Sequence, residues 1–269
     1  MTPDRIPVVL AIAGSDPSGG AGLQADLKTA AALGVFGAAA VTLLTVQSTR
    51  AITDVSLVDP DLVRRQVDAV FDDGPVDAIK IGALGSGAIA GAVADVLDAR
   101  PGVPVVLDPV LRATSGGSLL ADEAFGVLRT RLFPRATVIT PNLDEAGALL
   151  GAPAPGSVTE MRAAAAELRA RFGVSAVLLK GGHLPGNVAT DVLDDGGASV
   201  ELSRPRISTE RVHGAGCSLS SAIAARLAHG DALAGACDFA TGWVAGAIAA
   251  GAPLDATRGA RVLFHGYRA

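Results

Sequence analysis

Short apolar runs alternate with helix-period patterns along most of this chain. Residues 8–13 read as a buried strand and 20–33 as a helix. A second strand is expected over 38–46, then a helix over 61–71 with Leu62, Val63, Val67 and Val70 as its apolar stripe. Further strands are expected at 78–81, 103–107, 136–139 and 176–179, with helices near 89–99, 122–132 and 157–171 between them. The last of these opens with Ser157-Val-Thr-Glu160, a capping-box signature. Such βα alternation predicts an α/β fold with a mostly parallel sheet and helices on both faces. Two segments break the rhythm. Residues 190–207 carry Asp194-Asp-Gly-Gly197 between alternating runs and read as an antiparallel hairpin. Two alanine-rich helices follow, over about 217–229 and 232–250. With no linker, repeat or composition shift, one domain over 1–269 is the expected count.

Composition narrows the function classes. The chain is 49% hydrophobic and 18% charged, enough for a sizeable core and too apolar for disorder. A net charge of −5, without a basic run, gives no footprint for nucleic acid. Phosphate would have to be gripped locally, by backbone N–H groups and a few cations. Residues 29–49 carry no charge and are long enough to span a bilayer, but Gly34 and Gly37 interrupt them. A helix end, a turn and a buried strand explain them better, so no membrane partner is expected. Cys217 and Cys237 lack metal-ligand spacing and suit a reducing, cytoplasmic setting.

Candidate chemistry gathers where expected strands end. The run from Ala13 to Asp26 follows a strand and opens a helix, a usual ligand position in open α/β sheets. Gly20-x-Gly22-x-x-Ala25 loosely fits a dinucleotide fingerprint, yet no acidic residue closes the second strand, which ends Thr45-Val-Gln-Ser-Thr49. No Walker lysine follows the glycines, and a turn needing positive φ is the plain alternative. The Gln47 carboxamide, which donates and accepts, suits an aminopyrimidine edge; otherwise it is an ordinary loop glutamine. Asn142 and Glu145, three apart at a helix start, suit Mg²⁺ held through water, or else a cap and a dipole-stabilising acid. Asp108 and Lys180 end two other strands, as site groups or as a turn acid and a solvated lysine. Gly214 and Gly216 precede a helix, where successive N–H groups make an anion hole. Cys217 at that helix start is expected to have a lowered thiol pKa and to serve as a base; its plain reading is a small buried hydrophobe. Cys237 reads as core.

In this order the segments 14–28 (Gly-Ser-Asp-Pro-Ser-Gly-Gly-Ala-Gly-Leu-Gln-Ala-Asp-Leu-Lys), Thr45-Val-Gln-Ser-Thr49, Ile79-Lys-Ile-Gly82, Asp108-Pro-Val110, Thr140-Pro-Asn-Leu-Asp-Glu-Ala146, Lys180-Gly-Gly-His183 and His213-Gly-Ala-Gly-Cys217 closely resemble hydroxymethylpyrimidine/phosphomethylpyrimidine kinases. The resemblance implies a ribokinase-like three-layer α/β/α fold, a homodimer and MgATP as phosphoryl donor. It implies phosphorylation of 4-amino-5-hydroxymethyl-2-methylpyrimidine, then of its monophosphate, in thiamine biosynthesis. By the same resemblance Gln47 reads the pyrimidine, with Gly14, Asp26, Ala83 and Val110 on the substrate side. Gly214, Ala215 and Gly216 form the anion hole beside the base Cys217. Asn142, Lys180 and Ser218 lie on the ATP side, and Glu145 and Asp108 near Mg²⁺.

Four positions depart from the family pattern. Ala83 stands where many members place methionine over the ring, and Ala215 replaces the usual threonine. Leu111-Arg-Ala-Thr-Ser-Gly-Gly117 brings in Arg112, and Leu263-Phe-His-Gly-Tyr267 replaces the usual Gly-x-Gly-Pro ending. Rival readings are a pyridoxal kinase, a non-catalytic pyrimidine sensor and, more distantly, a sugar kinase.

Overall fold

Parallel strands buried on both faces need helices above and below them, and this sequence supplies both. The structure is a computed structural model that describes residues 5–111, 122–207, 212–255 and 258–267. Arg112 and the rest of its segment to Gly117 lie outside the described residues.

The strands are β1 (Val8–Ser15), β2 (Phe36–Gln47), β3 (Ile52–Leu57), β4 (Ala78–Ile81), β5 (Val105–Leu107), β6 (Val138–Ile139), β7 (Val177–Leu179), β8 (Val188–Asp194) and β9 (Val200–Pro205). Among the described residues they form one sheet in the order β3-β2-β1-β4-β5-β6-β7-β8-β9. The stretch from β2 to β7 is parallel, while the edge pairings β2–β3, β7–β8 and β8–β9 are antiparallel.

Alternate side chains of each strand serve opposite layers. Leu10, Ile12, Ile79, Ile81, Val105 and Leu107 point to one face. There they meet α2 (Pro60–Asp73), α3 (Gly87–Asp98), α4 (Asp122–Val127), α5 (Leu143–Leu150) and α6 (Val158–Phe172). Val9, Ala78, Val106, Val138 and Leu178 point the other way. That face packs on α1 (Gly22–Ala32), α7 (Ala215–Ala228) and α8 (Leu233–Ala250). By length and composition α8 would suit a bilayer, yet here its Cys237, Trp243 and Ala247 are buried in this second layer. The uncharged 29–49 stretch divides as expected into the end of α1, a turn at Gly34 and β2.

Several boundaries moved for local reasons. α2 starts at Pro60, with Asp59 accepting the Leu62 N–H at 3.1 Å, and Leu62 itself is exposed. After Val127 the expected 122–132 helix widens into a π-helical turn over Leu128–Leu132. A 3₁₀ turn at Phe133–Arg135 then ends it, at Pro134. Ser157 does cap α6, but the Glu160 carboxylate accepts from Gly156 N–H, so the box does not close. The closed box belongs to α5, where Asn142 and Glu145 cap each other.

A second sheet was not expected from the sequence. β10 (Val212–His213) pairs in parallel with β12 (Arg258–Val262), which pairs antiparallel with β11 (Ala252–Asp255). It brings the chain's last described segment against the residues that lead into α7.

Candidate active site

The C-terminal ends of β1, β2, β4, β5 and β7 open on one cavity of about 700 Å³. In an open sheet this is the edge where ligands bind. Gly14, Gln47, Ala83, Asp108, Val110, Asn142, Glu145, Lys180, Gly214, Ala215, Gly216 and Cys217 all line it. Residues separated by up to 203 positions thus share one site.

The start of α7 forms one wall of the cavity. Gly214 holds φ +85°, and a Cβ there would lie 1.8 Å from the Gly20 carbonyl oxygen, so only glycine fits. No side chain caps α7, and its first intrahelical N–H bond runs from Ser218 to Gly214 at 3.0 Å. The N–H groups of Ala215, Gly216 and Cys217 are therefore left for an anion. Gly216 allows a close approach from beneath: a Cβ would sit 3.2 Å from Lys180 Nζ and 3.4 Å from Asp108 Oδ2. With alanine at 215 the hole is built from backbone donors, without the threonine hydroxyl of the family pattern.

Cations and carboxylates alternate on the floor. Lys180 Nζ donates to Asp108 Oδ1 at 2.8 Å, and Thr140 Oγ1 donates to the same oxygen at 3.1 Å. Burial alone would lower the Lys180 pKa, but Asp108 and Glu145 hold it raised, so the ammonium stays charged. Burial pushes the Glu145 carboxyl up to about 7; Lys180 opposes this, Asp108 adds to it, and N–H donation from Asn142 and Leu111 opposes it again.

Three expectations need correction. Asn142 and Glu145 do not aim jointly at an outside ion. Glu145 Oε2 accepts the Asn142 N–H at 2.8 Å, while Asn142 Oδ1 accepts the Glu145 N–H at 2.9 Å. The cap orients the carboxylate, which still lines the cavity. Second, Asp26 and Ser218 are fully buried and do not line it. Asp26 binds Lys80 Nζ at 2.8 Å through both oxygens, and Ser218 Oγ meets His265 Nε2 at 2.9 Å. Third, the Cys217 thiol is not lowered. Burial pushes it up to about 11, opposed by Lys80 and by the Gly22 N–H, with Asp26 and Asp108 adding to the rise. Desolvation outweighs the helix start at this sulfur.

The structure also adds residues that the sequence reading gave no role. Asp16 Oδ2 accepts from His213 Nε2, Ser18 Oγ and Ala21 N–H, each at 2.8 Å. Burial raises its carboxyl, but the bonds from His213 and Ser18 and the N–H groups of Ser18 and Ala21 hold it down at about 2. His213 Nε2 lies 3.4 Å from Gln47 Nε2, so this network borders the expected pyrimidine reader. Lys80 lines the floor; a charged residue inside the apolar strand 78–81 was the available signal. At the other end, Arg206 donates to the carbonyls of Gly182, Leu184, Gly186 and Val188, which fixes the loop after Lys180.

Known proteins resemble this chain in both sequence and fold. Residues 16–261 match the family model described as phosphomethylpyrimidine kinase. The chain is 46% identical over 261 residues to hydroxymethylpyrimidine/phosphomethylpyrimidine kinase of Rhizobium meliloti strain 1021, covering 97% of each. Among solved structures, pyridoxal kinase from Staphylococcus aureus in complex with AMP-PCP and pyridoxal superimposes with a TM-score of 0.87 at 33% identity, covering 97% of this chain and 94% of that one. Phosphomethylpyrimidine kinase of Clostridium difficile 630 gives 0.77 at 35% identity, covering 89% and 98%.

Proposed function

Since the chain belongs to the phosphomethylpyrimidine kinase family, we propose that it transfers the γ-phosphoryl group of ATP to 4-amino-5-hydroxymethyl-2-methylpyrimidine, and then to its monophosphate, in thiamine biosynthesis. The observation that carries this is 46% identity across 97% of a relative so named, with the family's site motifs gathered in one cavity.

In this reading the pyrimidine lies between Gln47 and Ala83, with its hydroxymethyl oxygen beside Cys217. The free N–H groups of residues 215–217 and the Lys180 ammonium receive charge that builds on the moving phosphoryl group. Cys217 accepts the hydroxyl proton as the new P–O bond forms and ADP departs. Positioning and charge stabilisation supply most of the acceleration, because a loose phosphoryl transition state asks little of a base.

The donor set suits Mg²⁺. Among the described residues no cluster of three metal-ligating side chains exists, yet Glu145 and Asp108 form a neighbouring pair of carboxylates. That fits an ion held by one or two carboxylates together with phosphates and water. When bound, Mg²⁺ neutralises phosphate charge; this chain contributes the Glu145 carboxylate, held by the α5 cap, and Asp108. Because Glu145 must ionise to bind a cation, KM for MgATP falls as pH rises through about 7. Glu145→Gln abolishes that pH dependence and raises KM about tenfold, roughly one charge contact. Initial rates at several pH values check it, and a parallel wild-type profile in the variant would remove Glu145 from the metal site.

We read the chain as one domain that works as a homodimer in the cytoplasm. Leu44 and Val46 are exposed on one face of the β2–β3 ribbon, and Val55 and Leu57 on the other, which suits burial against a second copy. Sedimentation should give twice the chain mass, and Leu44→Asp with Val46→Asp should halve it. The two free thiols suit a reducing compartment.

A second reading is pyridoxal kinase, favoured by the small Ala83 in the cavity wall and by the Staphylococcus aureus neighbour. ADP release with the pyrimidine alcohol, its monophosphate and pyridoxal decides between them. Turnover of both pyrimidines is the expected result. Preference for pyridoxal by kcat/KM would move the function to vitamin B6 salvage, and no turnover of any would favour a sensor.

A further inference from the structure

One charged cluster at the site has no part in the reaction described so far. Asp26 on α1 is completely buried and binds Lys80 Nζ through both oxygens at 2.8 Å. Neither side chain reaches solvent: Lys80 is 0% and Asp26 1% exposed. The pair is tied to α7 by Ser221 Oγ, which donates to Asp26 Oδ1 at 2.8 Å. Ser221 follows Cys217 by one helical turn, on the same face. Lys80 and Cys217 both line the cavity, and the Lys80 charge acts on the Cys217 sulfur. Gly82 keeps the space around the ammonium clear, since a Cβ there would stand 3.0 Å from Nζ.

A buried ion pair is a weak device for stability, because well-packed apolar residues of similar volume often do as well. A reason to keep the charge is therefore needed, and the neighbouring thiol provides one. The pair uses two of the three lysine donors among the described residues, and Lys80 lines the cavity that also holds Cys217.

We propose that Lys80, held by Asp26, is a positioning residue that stabilises the Cys217 thiolate and so sets how much of the base is ready when the acceptor hydroxyl attacks. This rests on Cys217 being the base. The thiol loses its proton to solvent; the thiolate then takes the hydroxyl proton as the O–P bond forms and the bond to the ADP oxygen breaks. Of the charged groups around the sulfur, Lys80 on β4 acts first to favour the thiolate, while Asp26 on α1 and Asp108 after β5 oppose it. Lys180 after β7 is engaged by Asp108 at 2.8 Å.

The test reads ionisation apart from turnover. In a Cys237→Ala background, iodoacetamide alkylation of Cys217 and the ultraviolet absorbance of its thiolate are followed against pH in the ligand-free protein. Lys80→Met should slow alkylation about tenfold at about pH 8, the equivalent of one pKa unit. It should displace the absorbance titration upward, and lower kcat by a similar factor with KM for ATP within about twofold. Asp26→Asn combined with Lys80→Met leaves no orphaned charge and covers the case in which the single variant does not fold; a displacement in the same direction is expected. An unchanged absorbance titration in the folded double variant overturns the proposal, whatever happens to kcat. Normal turnover by Cys217→Ser would instead overturn the base reading, while a Lys80-dependent titration would still support the electrostatic link.

Discussion

Cys217→Ser loses about a hundredfold or more in kcat, the usual contribution of a positioned base, while KM for ATP stays within about twofold. The thiol already lies at about 11, so the wild-type enzyme works with a small thiolate fraction whose basicity is high. A serine hydroxyl in the same desolvated pocket ionises far less readily and offers no comparable acceptor. The N–H groups around it remain, so nucleotide binding is spared. The same chemistry makes wild-type kcat rise toward alkaline pH. Steady-state rates of the variant decide the matter: unchanged kcat would show that phosphoryl transfer here needs no base at this position.

Gly214→Ala combines two faults at one atom. Its Cβ would lie 1.8 Å from the Gly20 carbonyl oxygen, and its φ of +85° is one that side chains rarely adopt. The backbone strain alone costs about 1–3 kcal/mol. The contact forces either the β1–α1 loop or the first turn of α7 to move, and both segments line the cavity. Misplacing preorganised donors of this type costs about 10²–10³ in kcat. We expect at least a hundredfold loss together with a lowered Tm. Ala215→Thr, which adds a hydroxyl at the helix start, should keep wild-type stability. A fully active Gly214→Ala would mean that the observed turn is not needed for transfer.

Much of the fold was legible because the parallel strands are apolar on both faces and separated by helix-period stretches. What escaped was less apolar or lay near the end of the chain. Strand β3 alternates Ile52, Thr53, Asp54, Val55, Ser56 and Leu57 and is mostly exposed, so it carries no burial signal. Strand β11 contains Pro253, a residue that argues against a strand except at an edge, where it lies. At the site, residue types at strand ends and at one helix start singled out Gln47, Asp108, Lys180 and Cys217, and all four line the cavity. They did not reveal the partners that fix each state. Asp26 suggested a substrate ligand until Lys80, 54 positions later, proved to face it. Position at a helix start suggested a lowered thiol at Cys217; burial, which local sequence does not report, reversed the direction.

The site depends on joining distant parts of the chain. His213 meets Asp16 across 197 positions, and Ser221 meets Asp26 across 195. The parallel strands β1, β4, β5, β6 and β7 with their helices are complete by Leu179, well before α7 exists. A chain emerging from the ribosome can therefore build most of its sheet, with the Asp26–Lys80 pair already in place, while Asp16 still lacks its bond from His213 and Asp26 its bond from Ser221. Long-range closure of this kind is slow. During synthesis the unfinished active site is thus the exposed flank of the molecule, and the arrival of α7 both completes the catalyst and seals the fold.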